Sequence, residues 1–193
     1  MELSITDQKK NLRKEIKDLK SQYSENELIE KSNRIFISLE KLLSISQKNF
    51  FLAYWSMPDE VHTHQWVLQN YPQKNIFLPV VKENELEIKP FTGIKNMQAL
   101  PPFGILEPIG EPFKDLHKIE IILVPGIAFD RKGFRMGRGK GYYDKFLPKT
   151  SAVRIGICFS FQLFDTIPIN EFDAQMDYIL TENELLTINK KAL

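Results

Sequence analysis

The apolar positions fall into two rhythms along the chain. From Thr6 to Lys20, Leu12, Ile16 and Leu19 recur at i, i+4 and i+7, which predicts an amphipathic helix. Lys9, Lys10, Arg13, Lys14 and Lys17 occupy another sector of that helix. At roughly 100° per residue, Lys9 and Arg13 fall beside the apolar stripe rather than opposite it. From there they can reach round the edge of a buried contact; taken alone, the same pattern describes a solvated basic face. Ser24-Glu25-Asn26-Glu27 fits a capping box and starts a second helix to about Leu43, with Leu28, Ile35, Leu39 and Leu42 facing inward. The second rhythm is the short unbroken apolar run. Asn49–Trp55, Asn75–Val81, Ile119–Val124, Val153–Phe159 and Tyr178–Thr181 read as buried strands. Ser56–Glu60 breaks the first of these, and a helix is expected from there through about Asn70. Glu83-Asn84-Glu85 turns the second run into a hairpin with Leu86–Phe91. Residues 93–115 are rich in Pro and Gly and read as irregular. They are not a domain boundary, because Leu100, Phe103, Ile105 and Leu106 remain to be buried. Phe164–Phe172 reads as a loop and Glu182–Leu193 as a polar tail. Strands alternating with helices predict an α/β fold: a single domain over residues 1–193, with a mainly parallel central sheet and helices on both faces.

Composition narrows the function classes. A formal net charge of +1 gives no global basic field for nucleic acid. The single cysteine, Cys158, sits in an apolar run, reads as a buried small residue and suits a reducing cytosol. The N-terminal MELSITDQKK lacks the apolar core of a signal peptide, and no run has the length of a membrane span, so a cytoplasmic protein without a membrane partner is expected. His62-Thr63-His64 is not a metal pair, because i and i+2 point apart on a helix; surface histidines are expected.

The candidate chemistry concentrates in Arg131–Phe146, RKGFRMGRGKGYYDKF. This stretch carries four glycines and the six cations Arg131, Lys132, Arg135, Arg138, Lys140 and Lys145, bracketed by Asp130 and Asp144. Glycine lets backbone N–H groups approach an anion, and Arg and Lys add charge-assisted hydrogen bonds to phosphate oxygens. A helix beginning near Gly141 would aim its N-terminus at the same spot. The pattern is not a P-loop: no Ser or Thr follows the lysine, and Tyr142 stands downstream. Three readings of these residues stay open. One is a polyphosphate site. Another is an RNA-binding module in which Tyr142 and Tyr143 stack bases. The third is a different phosphate-handling or acyl-transfer enzyme. Trp55, Asp59 and Glu60 fall just beyond a strand, where α/β folds place ligands. Trp55 could wall a pocket for a flat heterocycle and Glu60 could accept ring N–H groups; the plainer readings are a core Trp and an acid pair at a helix start.

Several segments, in order and over nearly the whole length, resemble one family. They are Lys9-Lys10-Asn11-Leu12-Arg13, Met57-Pro58-Asp59-Glu60, Leu123-Val124-Pro125-Gly126 and, most specifically, Arg135-Met136-Gly137-Arg138-Gly139-Lys140-Gly141-Tyr142-Tyr143-Asp144. The chain resembles the 5-formyltetrahydrofolate cyclo-ligases. The resemblance implies that ATP and 5-formyltetrahydrofolate become 5,10-methenyltetrahydrofolate, ADP and phosphate with Mg2+ present, in a single α/β domain; a monomer is expected. It implies an ATP site at Lys9–Arg13 and Arg135–Tyr143, and folate contacts from Trp55 and Glu60. Arg138, Gly139, Lys140, Gly141 and Tyr142 would lie between the substrates, with Lys140 and Arg138 as catalytic cations. Asp144 and Asp173 resemble the magnesium ligands. The chain departs from the family pattern at Phe172, where a histidine often precedes the second aspartate.

Overall fold

The computed structural model describes residues 3–44, 46–100 and 104–192. Ser4 caps the first helix, α1 (Ile5–Lys20), by accepting from the Asp7 amide. The expected capping box is present: the Ser24 hydroxyl accepts from the Glu27 amide and Glu27 accepts from the Ser24 amide, which starts α2 (Glu25–Leu43). There follow β1 (Phe50–Leu52), α3 (His64–Asn70), β2 (Asn75–Lys82), β3 (Glu85–Pro90), β4 (Met97–Leu100), β5 (Ile105–Pro108) and β6 (Ile121–Pro125). The chain continues with β7 (Ala128–Asp130), β8 (Arg135–Met136), α4 (Tyr142–Phe146), β9 (Val153–Ile157), β10 (Leu163–Phe164), β11 (Tyr178–Leu180) and β12 (Leu185–Thr187).

Seven strands form the central sheet in the order β12-β11-β9-β6-β1-β2-β3. Strands β11, β9, β6, β1 and β2 run parallel, and antiparallel β12 and β3 close the two edges. Side chains alternate between two cores, as period-two strands buried on both faces must. Phe51, Ile76, Leu78, Ile121, Leu123, Ile155 and Leu180 meet α2 and α3 on one face. Leu52, Phe77, Ile122, Val124 and Ile179 meet Tyr143, Phe146 and Leu147 on the other. Helices therefore lie on both faces, although the second face has only one short helix.

Chain direction fixes the site. From β1 the chain crosses by α3 to β2 on one side, whereas β6, β9 and β11 step outward on the other. The order reverses between β1 and β6, so their carboxyl ends open the crevice where α/β sheets bind ligands. The chain leaving β6 does not enter a helix. It forms a small sheet, β10-β7-β8, and α1 packs on that sheet instead of the central one: Leu12 and Ile16 meet Ala128, Ile127, Met136 and Phe164. This contact is what carries the basic edge of α1 to the glycine stretch.

Five expectations need correction. The run Asn49–Trp55 forms strand only over β1 and bonds to β2 no further than the Ala53 amide, because Thr63 takes over beyond it: its hydroxyl donates to the Tyr54 carbonyl and accepts from the Ser56 amide. The helix after it is correspondingly short, beginning at His64. Residues 93–115 are not wholly irregular, since β4 and β5 pair antiparallel; Phe103 lies outside the described residues. The polar tail supplies β12, paired with β11 through Leu185, Leu186 and Thr187. His62 and His64 are half-buried rather than on the surface, and the His64 ring stacks on Trp55 at 4.1 Å between centroids. Cys158 is buried, and burial pushes its thiol pKa well up.

Candidate active site between two clefts

The turn after β1 and the stretch after β8 build the site from opposite sides of the switch point. Met57–Glu60 closes on itself: the Glu60 amide donates to the Met57 carbonyl at 3.0 Å, and the Met57 amide donates to Glu60 Oε2 at 3.0 Å. Across the crevice, buried Asp130 fixes the β7–β8 turn by accepting from the Lys132 amide at 3.0 Å and the Phe134 amide at 2.9 Å. Gln162, also buried, donates to the carbonyls of Gly126 and Ile127 at 3.1 and 2.8 Å and holds the exit from β6. Nothing in the local pattern around Gln162 marked that role; it arises from a long-range backbone contact.

The backbone then bends through Gly137–Gly141. Gly139 has φ +101° and Gly141 φ +69°, where a side chain is strained. Buried Arg135 runs beneath this bend. A Cβ on Gly137 would sit 2.6 Å from Arg135 Nη1, so glycine is what lets the guanidinium lie against the main chain. Arg135 stands 3.7 Å from Asp144 Oδ1 and 5.2 Å from the Tyr143 ring, while its Nε and Nη1 have no hydrogen-bond partner among the described residues. The bend ends in α4, which is one turn long. The expected helix N-terminus therefore contributes little; main-chain amides and cations are left to meet an anion.

Two clefts open on either side of the bend. The larger, of about 760 Å³, is lined by Lys9 and Arg13 of α1, by Met136, Gly137, Gly139 and Gly141, and by Asp144, Phe172 and Asp173. Arg13 Nε donates to the Gly137 carbonyl at 3.1 Å, and Lys9 pairs with Asp173. The smaller, of about 380 Å³, is lined by Met57, Glu60, Gly126, Arg135, Arg138, Lys140, Tyr142 and Tyr143, again with Gly137 and Gly141. The two clefts thus share Gly137 and Gly141.

Not every candidate reaches a cleft. Lys10 and Asn11 are exposed on α1, turned off the Lys9–Arg13 edge by the helix twist, and Leu12 faces the apolar contact with the small sheet. Trp55 lines neither cleft; it is sandwiched between His64 and Phe91, the latter at 5.7 Å between centroids. Arg131 turns away to pair with Glu184. Tyr143 is buried in the core, so the RNA reading loses one of its two stacking rings.

Asp144 and Asp173 line one cleft. Among the described residues Asp144 has only long polar contacts, 3.4 Å from the Ala174 amide and 3.7 Å from Arg135, whereas Asp173 accepts from the Asn170 amide at 2.8 Å as well as from Lys9. Among the described residues no group of three or more His, Cys, Asp or Glu side chains is gathered for a metal. A carboxylate pair does fit a magnesium ion that draws its other ligands from phosphates and water. Phe172, 74% exposed, stands at the rim beside Asp173.

Glu60 sits at the junction. Burial pushes its carboxyl above the ordinary 4.5, with the Met57 amide and Arg138 pulling the other way. A carboxyl raised in the fold costs stability as pH climbs through its folded pKa, and costs nothing below the unfolded one. Glu60→Gln is therefore expected to melt higher than wild type at pH 7, with the gap closing as pH falls below 4.5. Thermal melts at the two pH values check this.

The family model described as "5-formyltetrahydrofolate cyclo-ligase family" matches residues 5–182. The chain belongs to that family. It is 26% identical to the 5-formyltetrahydrofolate cyclo-ligase of Mus musculus, over 94% of this chain and 97% of that protein. It is likewise 26% identical to the one from Haemophilus influenzae, over 91% and 98%. The Aquifex aeolicus 5,10-methenyltetrahydrofolate synthetase, solved by NMR, superposes with a TM-score of 0.84 at 28% identity over 96% of this chain and 95% of that one. The mostly parallel sheet flanked by helices is thus the fold of a solved relative. In this cyclo-ligase chain no helix among the described residues is long and apolar enough to cross a membrane.

Proposed function

We propose that the protein converts 5-formyltetrahydrofolate to 5,10-methenyltetrahydrofolate at the expense of ATP. The observation that carries this reading is the glycine bend shared by the two clefts: a γ-phosphate lying in one and a formyl oxygen lying in the other can meet at Gly137–Gly141. The larger cleft, with Lys9, Arg13 and bare main chain, suits the triphosphate. The smaller one, with an acceptor carboxylate at Glu60 and apolar walls from Met57, Val81 and Ile127, suits the reduced pterin.

The formyl oxygen attacks the γ-phosphorus and ADP leaves, giving an N5 iminium phosphate. N10 of the same folate then adds to the formyl carbon and loses its proton, and phosphate departs as the ring closes. Neither half needs a protein nucleophile; both need alignment and compensation of moving negative charge. Arg13 and the bend amides hold the phosphates, and Lys140, lining the smaller cleft, faces the oxygen that receives the phosphoryl group. Glu60 orients the pterin, and the apolar walls keep water from the reacting atoms. A magnesium ion held by Asp144 and Asp173 supplies charge neutralisation at the phosphates when bound.

The test is ADP release from purified protein with ATP and magnesium, with and without 5-formyltetrahydrofolate, alongside the absorbance of the methenyl product. ADP and methenyl product should rise together on adding the folate. ADP release indifferent to the folate, with no methenyl absorbance, overturns the reading.

A further inference from the structure

Arg138 belongs by sequence to the glycine bend, between Gly137 and Gly139 of the larger cleft, yet its guanidinium points the other way. Nη2 lies 2.5 Å from Asp59 Oδ1 and 3.3 Å from Glu60 Oε1, and Nε lies 3.4 Å from the same Glu60 oxygen. The carboxylate that would recognise a reduced pterin is thus already in contact with a cation expected to serve the phosphates. The other end of this contact is anchored. Lys20, on the last turn of α1 and only 12% exposed, donates to the Asp59 carbonyl and stands 3.8 Å from Asp59 Oδ2. Burial lowers the Lys20 pKa, and Asp59 is the main influence opposing that.

We propose that Asp59 is a positioning residue that parks Arg138 away from the phosphates until a reduced folate occupies the smaller cleft, so that ATP is consumed only when an acceptor is present. This rests on the function proposed above. The two Glu60 oxygens differ. Oε2 is committed to the Met57 amide at 3.0 Å, whereas Oε1 holds Arg138 only at 3.3 and 3.4 Å. N–H groups of a pterin ring compete for Oε1 and break the weaker half of the hold. Arg138 is then retained by Asp59 alone, whose side chain is 46% exposed and whose attraction is screened by solvent. A triphosphate next to the bend outcompetes a single exposed carboxylate, and Arg138 moves to it. In the absence of folate the same movement would help water attack the γ-phosphorus, giving ADP and phosphate with no methenyl product.

The test uses the full chain carrying Asp59→Asn, with ADP and methenyl product measured in the same assay. Folate-free ADP release is expected to rise about two- to fivefold, the worth of one solvent-screened ion pair, and methenyl formed per ADP to fall accordingly. Asp59→Glu, which keeps the carboxylate, should retain the low background. Unchanged methenyl per ADP in Asp59→Asn overturns the proposal. So does a parallel fall of both rates, which is what a merely structural or substrate-holding role would give. Failure of the wild-type protein to make methenyl product at all would instead overturn the function itself, so the two failures are told apart.

Discussion

Lys140→Ala lowers turnover by about two to three orders of magnitude, the usual cost of removing one donor aimed at developing charge. Its melting temperature stays within a degree or two of wild type. Lys140 is exposed, and among the described residues it makes no ion pair. Its neighbours Gly139 and Gly141 both have positive φ, so the backbone already holds Lys140 on a tight bend that the substitution does not disturb. The side chain lines the smaller cleft, the one proposed above to take the folate. The loss should therefore fall on kcat, with the KM values for ATP and the folate changing by only a few-fold. Steady-state kinetics of methenyl formation checks it. Turnover within threefold of wild type removes Lys140 from its role at the transferring phosphoryl group.

Phe129→Ala is the largest expected loss of stability. Phe129 is fully buried on β7, with its ring wedged between two main-chain segments. A Cβ on Gly126 would lie 2.5 Å from one ring edge, and a Cβ on Gly156 2.6 Å from the other. Glycines at the end of β6 and within β9 thus make room for a single side chain, and neither can fill the space when the ring is gone. A Phe→Ala change in such a place costs about 3–5 kcal/mol. For a chain of this length that lowers the melting temperature by roughly 10 °C, measurable by calorimetry. The same ring joins the central sheet to the small sheet that supports α1, so ATP binding should weaken along with the fold. A melting temperature within 3 °C of wild type would mean that the site collapses around the missing ring.

Much of this architecture was legible from pattern. The parallel strands are buried on both faces, so each appears as an unbroken apolar run, and β2, β6 and β9 were located to within a few residues. Ser24 and Glu27 marked the start of α2 because their chemistry is local. What escaped depends on distant partners. Strand β12 is short and half polar, and exists because β11 offers an open edge. The strand after Leu52 ends early because Thr63, eleven residues on from that point, takes its hydrogen bonds.

The same division runs through the site. Sequence by itself determined the chemistry available: a glycine stretch dense in cations, a helix edge bearing Lys9 and Arg13, and carboxylates at Glu60 and Asp144 follow from residue type and spacing, while Asp173 enters through the family resemblance. Only the tertiary structure decided how these are used. It sent Trp55 into a stack with His64 and Phe91, and placed Arg135 under the bend. It turned Arg138 toward Asp59 and Glu60, and made Gly137 and Gly141 common to two clefts. The physical reason is that side-chain direction at a switch point depends on where the strand order reverses and on which helix packs against the small sheet. Neither is written in any local stretch of the chain.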